Sequence, residues 1–157
     1  MKRRTIGIIN YSVGNLASVQ QVINILGHKS CVSHECSVLE KSDVLLLPGV
    51  GAFSAAMDAL NVLGLDRFIK DRARAGQPII GLCLGMQLLA DSSVEFESTT
   101  GLGLIPGEVL PLENKRSHIG WNSIKVVNSR SPISFADSES FYFNHSYVFH
   151  PPNEYIS

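Results

Sequence analysis

The sequence predicts an α/β fold, a mostly parallel sheet with helices on both of its faces. Three observations predict this class. Up to about residue 95, short apolar segments alternate with segments whose apolar residues recur at helical spacing. Residues 44–47 are apolar at every position, which is typical of a parallel strand buried on both faces. Glycine or proline follows several of these segments, as expected where an element ends at a turn.

The first part of the chain is organised as a strand, a helix and a second strand. Residues 5–9 form the first predicted strand, and Asn15 is placed to cap the helix that follows. The apolar face of that helix consists of Leu16, Val19, Ile23 and Leu26. Gly27 ends the helix, and residues 29–33 form the second predicted strand.

The next units contain two glycine-rich loops. The third predicted strand, residues 44–47, stops at the loop 48–51, PGVG. Ser54 is predicted to cap one long helix that ends at residues 76–78. The apolar face of this helix consists of Ala56, Leu60, Leu63, Phe68 and Ile69. A fourth strand then leads to Cys83, and a further helix begins within residues 86–90.

The composition of the chain changes after Gly101. Residues 102–112 are rich in glycine and proline, 119–127 have the pattern of a strand, and 141–149 are aromatic and extended. The sequence contains no repeat and no low-complexity linker. We therefore expect a single domain over residues 1–157.

Charge and cysteine usage exclude several classes of function. Thirteen basic and fourteen acidic residues leave a formal charge of −1, which gives no electrostatic reason to expect nucleic acid or a membrane as partner. No apolar segment approaches the ~18 residues that a membrane helix needs. The three cysteines (Cys31, Cys36, Cys83) form no disulfide framework, so a cytoplasmic location is expected.

Cys83 stands where a buried strand should end and a helix should begin, in the segment GLCLGMQ. Such a turn resembles a nucleophile elbow, which requires small neighbours such as Gly81 and Gly85. The N-terminus of the next helix favours a thiolate, and the Leu84 amide then faces the oxygen of a tetrahedral intermediate. The alternative is a buried cysteine that only fills the core.

A second oxyanion donor is expected from the loop 48–51. Its glycines permit the unusual dihedral angles that turn an amide, such as that of Val50, toward the substrate. The loop and the elbow follow neighbouring parallel strands, whose carboxyl ends form the usual ligand site of an open α/β sheet. Taken alone, PGVG would be an ordinary turn between a strand and a helix.

The motifs GLCLGMQLL, LLLPGVGAF, HIGWN and YFNHSY resemble those of class I glutamine amidotransferases, which have a flavodoxin-like fold. Within that family the chain is similar to the glutaminase subunits of imidazole glycerol phosphate synthases, which serve histidine biosynthesis. The likeness extends from Ile6 to about Tyr155, nearly the whole chain. The segment NYSVGNL matches the family's first loop only in part, because a second glycine is usual near Ser12.

The resemblance implies that the Cys83 thiolate attacks the side-chain amide of glutamine, releases ammonia and leaves a thioester for water to cleave. It also implies that a set of residues binds the glutamine: Gly49, Gly51, Gln87, His145, Ser146 and Tyr147. No cofactor and no metal are expected. The partner implied is a (β/α)8-barrel cyclase that forms a heterodimer with the glutaminase, and the loop 11–15 is a candidate contact.

The family's catalytic triad also contains a histidine and a glutamate, in a histidine-proline-glutamate motif near the C-terminus. His150-Pro151 imitates this motif but follows His145 by only five residues, and Glu154 stands four positions after His150 instead of two. We therefore expect His150 to be unrelated to catalysis and the domain to be incomplete at its C-terminus. His28 and His118 are expected in a loop and in a structural or docking element, and His145 in a substrate-binding strand.

The first expectation is therefore a glutaminase subunit of histidine biosynthesis whose chain lacks the catalytic histidine and glutamate and is nearly inactive. Two alternatives remain open. The chain could be a non-catalytic subunit that docks on a cyclase or holds glutamine, or a glutaminase of another amidation pathway such as nucleotide-sugar synthesis. A metal site at Cys31, His34 and Cys36 is not expected, because ligands from one short strand would not converge.

Overall fold

The computed structural model describes residues 3–113, 116–128, 131 and 134–156. The strands are β1 Thr5–Ile9, β2 Lys29–Ser33, β3 Val44–Leu47, β4 Ile79–Gly81, β5 Ser92–Ser93, β6 Thr99–Thr100, β7 Glu108–Pro111, β8 His118–Ser123, β9 Ser140–His145 and β10 Tyr147–His150. The helices are α1 Leu16–Ile25, α2 Cys36–Leu39, α3 Phe53–Val62, α4 Leu65–Arg74 and α5 Leu84–Gln87. Two short 3-10 helices follow, Ser134–Ala136 and Asn153–Tyr155.

The four strands of the first half form one parallel sheet in the order β2-β1-β3-β4. Ile8 of the central strand β1 aligns with Val32 on one side and Leu46 on the other. The carboxyl ends of β3 and β4 are therefore neighbours, and the loops that follow them meet at one edge of the sheet. The predicted α/β class and parallel sheet are confirmed.

Alternate residues of the sheet bury into two separate cores. Ile8 and Leu46 pack on one face with Ile23 of α1. Leu45 and Leu47 pack on the opposite face with residues of α3, α4 and α5. Each buried side chain of this size stabilises the fold by about 1.5–3 kcal/mol. The prediction of helices on both faces is confirmed.

The single long helix predicted from Ser54 onward is two helices. Gly64 adopts φ +67° and separates α3 from α4, because its lack of a Cβ permits the left-handed conformation. The predicted cap at Ser54 is also wrong, since α3 begins at Phe53 with Ala52 as its N-cap. The amide of Phe53 instead donates to the carboxylate of Glu95 at 2.7 Å.

The second half of the chain forms smaller sheets. Strands β10-β7-β5-β6 form a mixed sheet, and β8 pairs with β9 as an antiparallel hairpin. The strand predicted at 119–127 ends at Ser123, and the extended segment 141–149 is divided into β9 and β10 at Ser146. The helix after Cys83 begins at Leu84, before the predicted start, and has only four residues.

In the part of the chain that the structure describes, no helix is long and apolar enough to cross a membrane.

Candidate active site

The backbone at Cys83 is held in a conformation that a non-glycine residue rarely adopts. Its φ is +53° and its ψ is −118°, at the turn between β4 and α5. Such a conformation costs on the order of 1–3 kcal/mol and persists only where the surrounding structure enforces it. The side chain of Cys83 is exposed, so the buried-core alternative for this cysteine does not match its position.

Two glycines allow this turn to exist. A Cβ on Gly81 would lie 2.5 Å from the Cα of Met86, and a Cβ on Gly85 would overlap the carbonyl oxygen of Leu47. The elbow is therefore pressed directly against β3. As the first residue of α5, Leu84 has an amide that no carbonyl of its own helix can reach, so this amide is available at the turn.

The loop 48–51 lies against the elbow. A Cβ on Gly49 would lie 2.5 Å from the hydroxyl oxygen of Tyr11 and 2.9 Å from the amide nitrogen of Gly85. Val50 is 57% exposed, and Gly51 has φ +95°. The loop that carries the Val50 amide and the turn that carries the Leu84 amide are thus in direct contact.

A cavity of about 430 Å³ opens at this junction. Eight of its lining residues come from the loop 48–51, from Cys83 and helix α5, and from the junction of β9 and β10: Val50, Gly51, Cys83, Leu84, Gln87, His145, Ser146 and Tyr147. All of these residues were singled out in the sequence. Gly49 does not line the cavity; it is buried beneath the loop, between Tyr11 and the elbow.

The carbonyl oxygen of Tyr147, at the start of β10, accepts two hydrogen bonds beside the cavity. The side-chain amide of Gln87 donates to the carbonyl oxygen of Tyr147 at 3.0 Å. Nδ1 of His145 lies 2.9 Å from the same oxygen. Gln87 therefore fixes the opposite wall of the cavity and keeps its side-chain oxygen for a ligand.

Glu95 also lines the cavity and had not been identified from the sequence. Its carboxylate accepts the Phe53 amide, and its own amide donates to Ser93 Oγ at 3.1 Å. The carboxylate thus lies at the N-terminus of α3, where a negative charge is stabilised. No local pattern in the sequence indicated this role, because the start of α3 after Ala52, which cannot cap it, is seen only in the structure.

His145 has partners at both ring nitrogens. Because a carbonyl oxygen only accepts, Nδ1 of His145 carries the hydrogen of the bond to Tyr147. Nε2 of neutral His145 is then an acceptor, and it lies 3.2 Å from Nδ1 of His118, which donates to it. His118 is itself stacked on Phe143, with 4.6 Å between ring centroids. The lone pair that a general base needs is already used.

The other histidines lie elsewhere. His150 is an exposed residue of β10 opposite Glu108, and it does not line the cavity at Cys83. Glu154 is exposed in the last 3-10 helix. Nδ1 of His28 accepts the Arg4 amide at 3.2 Å. Within the described residues, no group of three or more histidine, cysteine, aspartate or glutamate side chains is arranged to hold a metal ion.

Burial and the negative charge of Cys83 both raise the pKa of Tyr11, burial contributing more. Tyr11 is fully buried, and its hydroxyl donates to the carbonyl oxygen of Pro48 at 2.7 Å. The sequence places Tyr11 in the loop 11–15, a candidate contact with a partner. Its side chain is unavailable for such a contact, whereas its neighbours Ser12, Gly14 and Asn15 are exposed.

Comparison with known proteins agrees with this arrangement. Residues 7–156 match the glutamine amidotransferase class-I family. The chain is 42% identical over 147 residues to the imidazole glycerol phosphate synthase subunit HisH of Lactococcus lactis, covering 92% of this chain and 73% of that protein. It is 40% identical over 153 residues to the subunit of the same name from Methanothermobacter thermautotrophicus, covering 96% and 76%.

Solved structures share the fold at lower identity. A glutamine amidotransferase crystal structure superimposes with a TM-score of 0.72 and 18% identity, over 95% of this chain and 75% of that one. The PurLQS structure from Thermotoga maritima gives 0.65 and 18%, over 98% and 72%. The family model covers residues 7–156, and the relatives of about 40% identity cover most of the chain. The cysteine elbow and its contact with the loop 48–51 agree with these matches. The chain belongs to the class-I glutamine amidotransferase family.

Proposed function

We propose that the chain is, by family and architecture, the glutaminase subunit of an imidazole glycerol phosphate synthase, the type of subunit that releases ammonia from glutamine for histidine biosynthesis. One observation carries the proposal: Cys83 shares a cavity with Val50 and Leu84, in a chain 40–42% identical to HisH subunits. The strained turn at Cys83 serves no purpose in packing alone, because the side chain that it presents is exposed.

The proposed reaction begins when Cys83 Sγ attacks the side-chain carbonyl carbon of glutamine. A C–S bond forms, and the carbonyl oxygen becomes an oxyanion that accepts hydrogen bonds from the amides of Val50 and Leu84. The C–N bond then breaks, the nitrogen takes up the proton that the thiol gave up, and ammonia leaves. Water attacks the resulting thioester, which restores the thiol and releases glutamate.

The walls of the cavity supply contacts for the rest of the substrate. Glu95 offers a carboxylate to the α-ammonium group of glutamine. The backbone at Gly51, Ser146 and Tyr147 offers polar groups to the α-carboxylate, and Gln87 offers its side-chain oxygen to the amide. A volume of about 430 Å³ accommodates an amino acid of this size.

General base catalysis is the step that the described residues do not supply. His145 is the histidine that lines the cavity with Cys83, and both of its nitrogens are engaged. Removing a general acid or base typically slows a reaction by about 10²–10⁴-fold. We therefore propose that this chain binds glutamine and presents the nucleophile but turns glutamine over slowly, which makes a binding subunit the main alternative function.

The proposed partner is a (β/α)8-barrel cyclase that receives the ammonia and forms a heterodimer with this chain. Apolar residues on the hairpin beside the cavity favour an interface there, since Ile119, Trp121 and Tyr142 are 64%, 74% and 57% exposed. Free cysteines at positions 31, 36 and 83 fit a reducing compartment, and we propose the cytoplasm. Which pathway is served depends on the partner, so nucleotide-sugar synthesis stays a less favoured candidate.

The proposal is tested by alkylation with a chloromethyl ketone shaped like glutamine. The Cys83 thiolate first adds to the ketone carbonyl carbon and gives a tetrahedral oxyanion. The sulfur then displaces chloride from the neighbouring carbon through a three-membered sulfonium ring, and its bond to the carbonyl carbon breaks as the carbonyl re-forms. The adduct, a thioether at the former chloromethyl carbon, is located by peptide mass spectrometry. We expect modification at Cys83 that glutamine slows by competition. Cys31→Ala is the matched control and should react as the wild type does, whereas Cys83→Ala should not react. Modification spread over the cysteines, without protection by glutamine, would refute the proposal.

A further inference from the structure

We propose that Tyr11 is a positioning residue of the oxyanion pocket. Its buried hydroxyl fixes the Pro48–Gly49 peptide, one residue before Val50, so that the Val50 and Leu84 amides point at one oxygen. This inference rests on the proposed function. It concerns a residue that does not line the cavity and that would contact neither the substrate nor the reacting atoms.

The chain after β1 is shaped to send the ring of Tyr11 inward. Ser12 has φ +68°, and its amide donates to the side chain of Asn10 at 3.0 Å. This tight turn places Tyr11 in the core beside Leu47 and Leu84, with no exposed surface. A phenylalanine would fill the same volume without requiring a buried hydroxyl to be desolvated. Packing alone therefore does not explain why this position carries a hydroxyl group.

The hydroxyl holds one specific peptide group. It donates to the carbonyl oxygen of Pro48 at 2.7 Å. The carbonyl of Pro48 and the amide of Gly49 belong to the same rigid plane, so fixing one fixes the other. Only the backbone dihedral angles of Gly49 separate this plane from the Val50 amide.

Those angles are restrained by contacts on two sides of Gly49. The position of a Cβ there would be 2.5 Å from the Tyr11 hydroxyl, 2.9 Å from the Gly85 amide and 3.1 Å from the Cβ of Leu84. Gly49 is thus enclosed between the hydroxyl and the elbow. Tyr11 presses the loop that carries one oxyanion donor onto the turn that carries the other.

The hydroxyl is suited to act as a constant donor. Burial and the nearby charge of Cys83 both raise its pKa, so it stays protonated over the pH range in which a thiolate attacks glutamine. Its one hydrogen is committed to Pro48. Tyr11 is therefore not a proton donor to the substrate, and its influence passes through the backbone at Gly49.

Two reagents separate this role from a general effect on the protein. Attack on the glutamine-shaped chloromethyl ketone passes through a tetrahedral oxyanion, whereas alkylation by iodoacetamide does not. In Tyr11→Phe we expect the rate with the chloromethyl ketone to fall tenfold to a hundredfold. The rate with iodoacetamide, and the concentration of glutamine that gives half-protection, should change less than twofold. Tyr155→Phe, an exposed tyrosine, is the matched control and should behave as the wild type does.

Rescue distinguishes the hydrogen bond from the shape of the ring. Tyr11→4-aminophenylalanine keeps an N–H donor near the Pro48 oxygen, and we expect it to recover most of the lost rate even if Tyr11→Phe is poorly folded. Three outcomes would overturn the proposal. Tyr11→Phe could react with the chloromethyl ketone as fast as the wild type, or it could lose the same factor in rate with both reagents. Tyr11→4-aminophenylalanine could fail to recover the rate. If the wild type itself shows no preference for Cys83 and no protection by glutamine, the proposed function fails first and this inference falls with it.

Discussion

Nδ1 of His118 lies 3.2 Å from Nε2 of His145, which joins β8 to β9 beside Cys83. Together with the bond from His145 to the Tyr147 carbonyl, this contact assigns one tautomer to His145, with the hydrogen on Nδ1. The imidazole that lines the cavity together with Cys83 therefore links two neighbouring strands.

This assignment predicts a specific nuclear magnetic resonance signature. In long-range ¹H–¹⁵N spectra near neutral pH, we expect His145 to be the Nδ1–H tautomer and His118 to carry its hydrogen on Nδ1 as well. The exposed His150 is the internal control. A spectrum in which His145 carries its hydrogen on Nε2 would contradict the assignment and leave the Tyr147 carbonyl without this donor.

The second prediction concerns turnover. We expect the chain to release ammonia from glutamine at or near background, with or without a cyclase, because the base that is typically worth about 10²–10⁴-fold is not free. The measurement is a coupled assay for glutamate, with Cys83→Ala as the blank. Rapid turnover that requires Cys83 and disappears in His145→Asn would show that His145 leaves its bonds and acts as the base.

Glu95 gives a prediction about substrate affinity. Glu95→Gln keeps an oxygen to accept the Phe53 amide but removes the charge that faces the cavity. Because hydrogen bonds to charged groups contribute about 1.5–3 kcal/mol, glutamine should protect Cys83 about 10–100-fold more weakly. The thermal stability should change little. The matched control is Glu97→Gln, at an exposed residue that does not line this cavity. An unchanged protection constant for Glu95→Gln would remove Glu95 from the binding site.

Local patterns predicted most of the fold, and contacts between distant residues account for the errors. Asn15 caps α1 as expected, because its side chain accepts the Ser18 amide within the same turn. The break at Gly64 was missed because apolar residues continue at helical spacing across it. Glu95 was missed because its partner Phe53 lies 42 positions away, and no motif connects the two.

Part of the candidate site also follows from local patterns in the sequence. The glycines around Cys83 gave a local signal, since a sharp turn has few sequence solutions. Tyr11 gave none, because its role depends on a hydroxyl that meets Pro48, 37 positions further on. The pairing of His118 with His145 also depends on the register of β8 and β9, which the sequence does not specify.

The close packing of the elbow on β3 predicts that a methyl group added at Gly85 lowers the stability of the fold strongly. In Gly85→Ala the added methyl group would overlap the Leu47 carbonyl, and neither backbone segment can move away from the sheet. We expect a loss of about 3 kcal/mol or more in the free energy of unfolding by urea. Gly76→Ala is the control: Gly76 has φ +79° with open space around it, so only the backbone strain of about 1–2 kcal/mol applies. Equal losses in the two variants would contradict the close contact between the elbow and β3.

The raised pKa of Tyr11 predicts a loss of stability at high pH. The unfolded chain ionises this tyrosine near pH 10, whereas the folded chain keeps it neutral, so above that pH the unfolded state binds fewer protons. The stabilisation is therefore complete below about pH 10 and decreases above it, by up to about 1.4 kcal/mol for each pH unit. Tyr11→Phe lacks this dependence but loses about 1–3 kcal/mol at neutral pH, because the Pro48 carbonyl loses its donor. The measurement is urea unfolding of both proteins between about pH 8 and about pH 11.5. The difference between their free energies of unfolding should become smaller as the pH rises. Parallel curves would mean that the hydroxyl ionises as readily in the folded protein as in the unfolded chain.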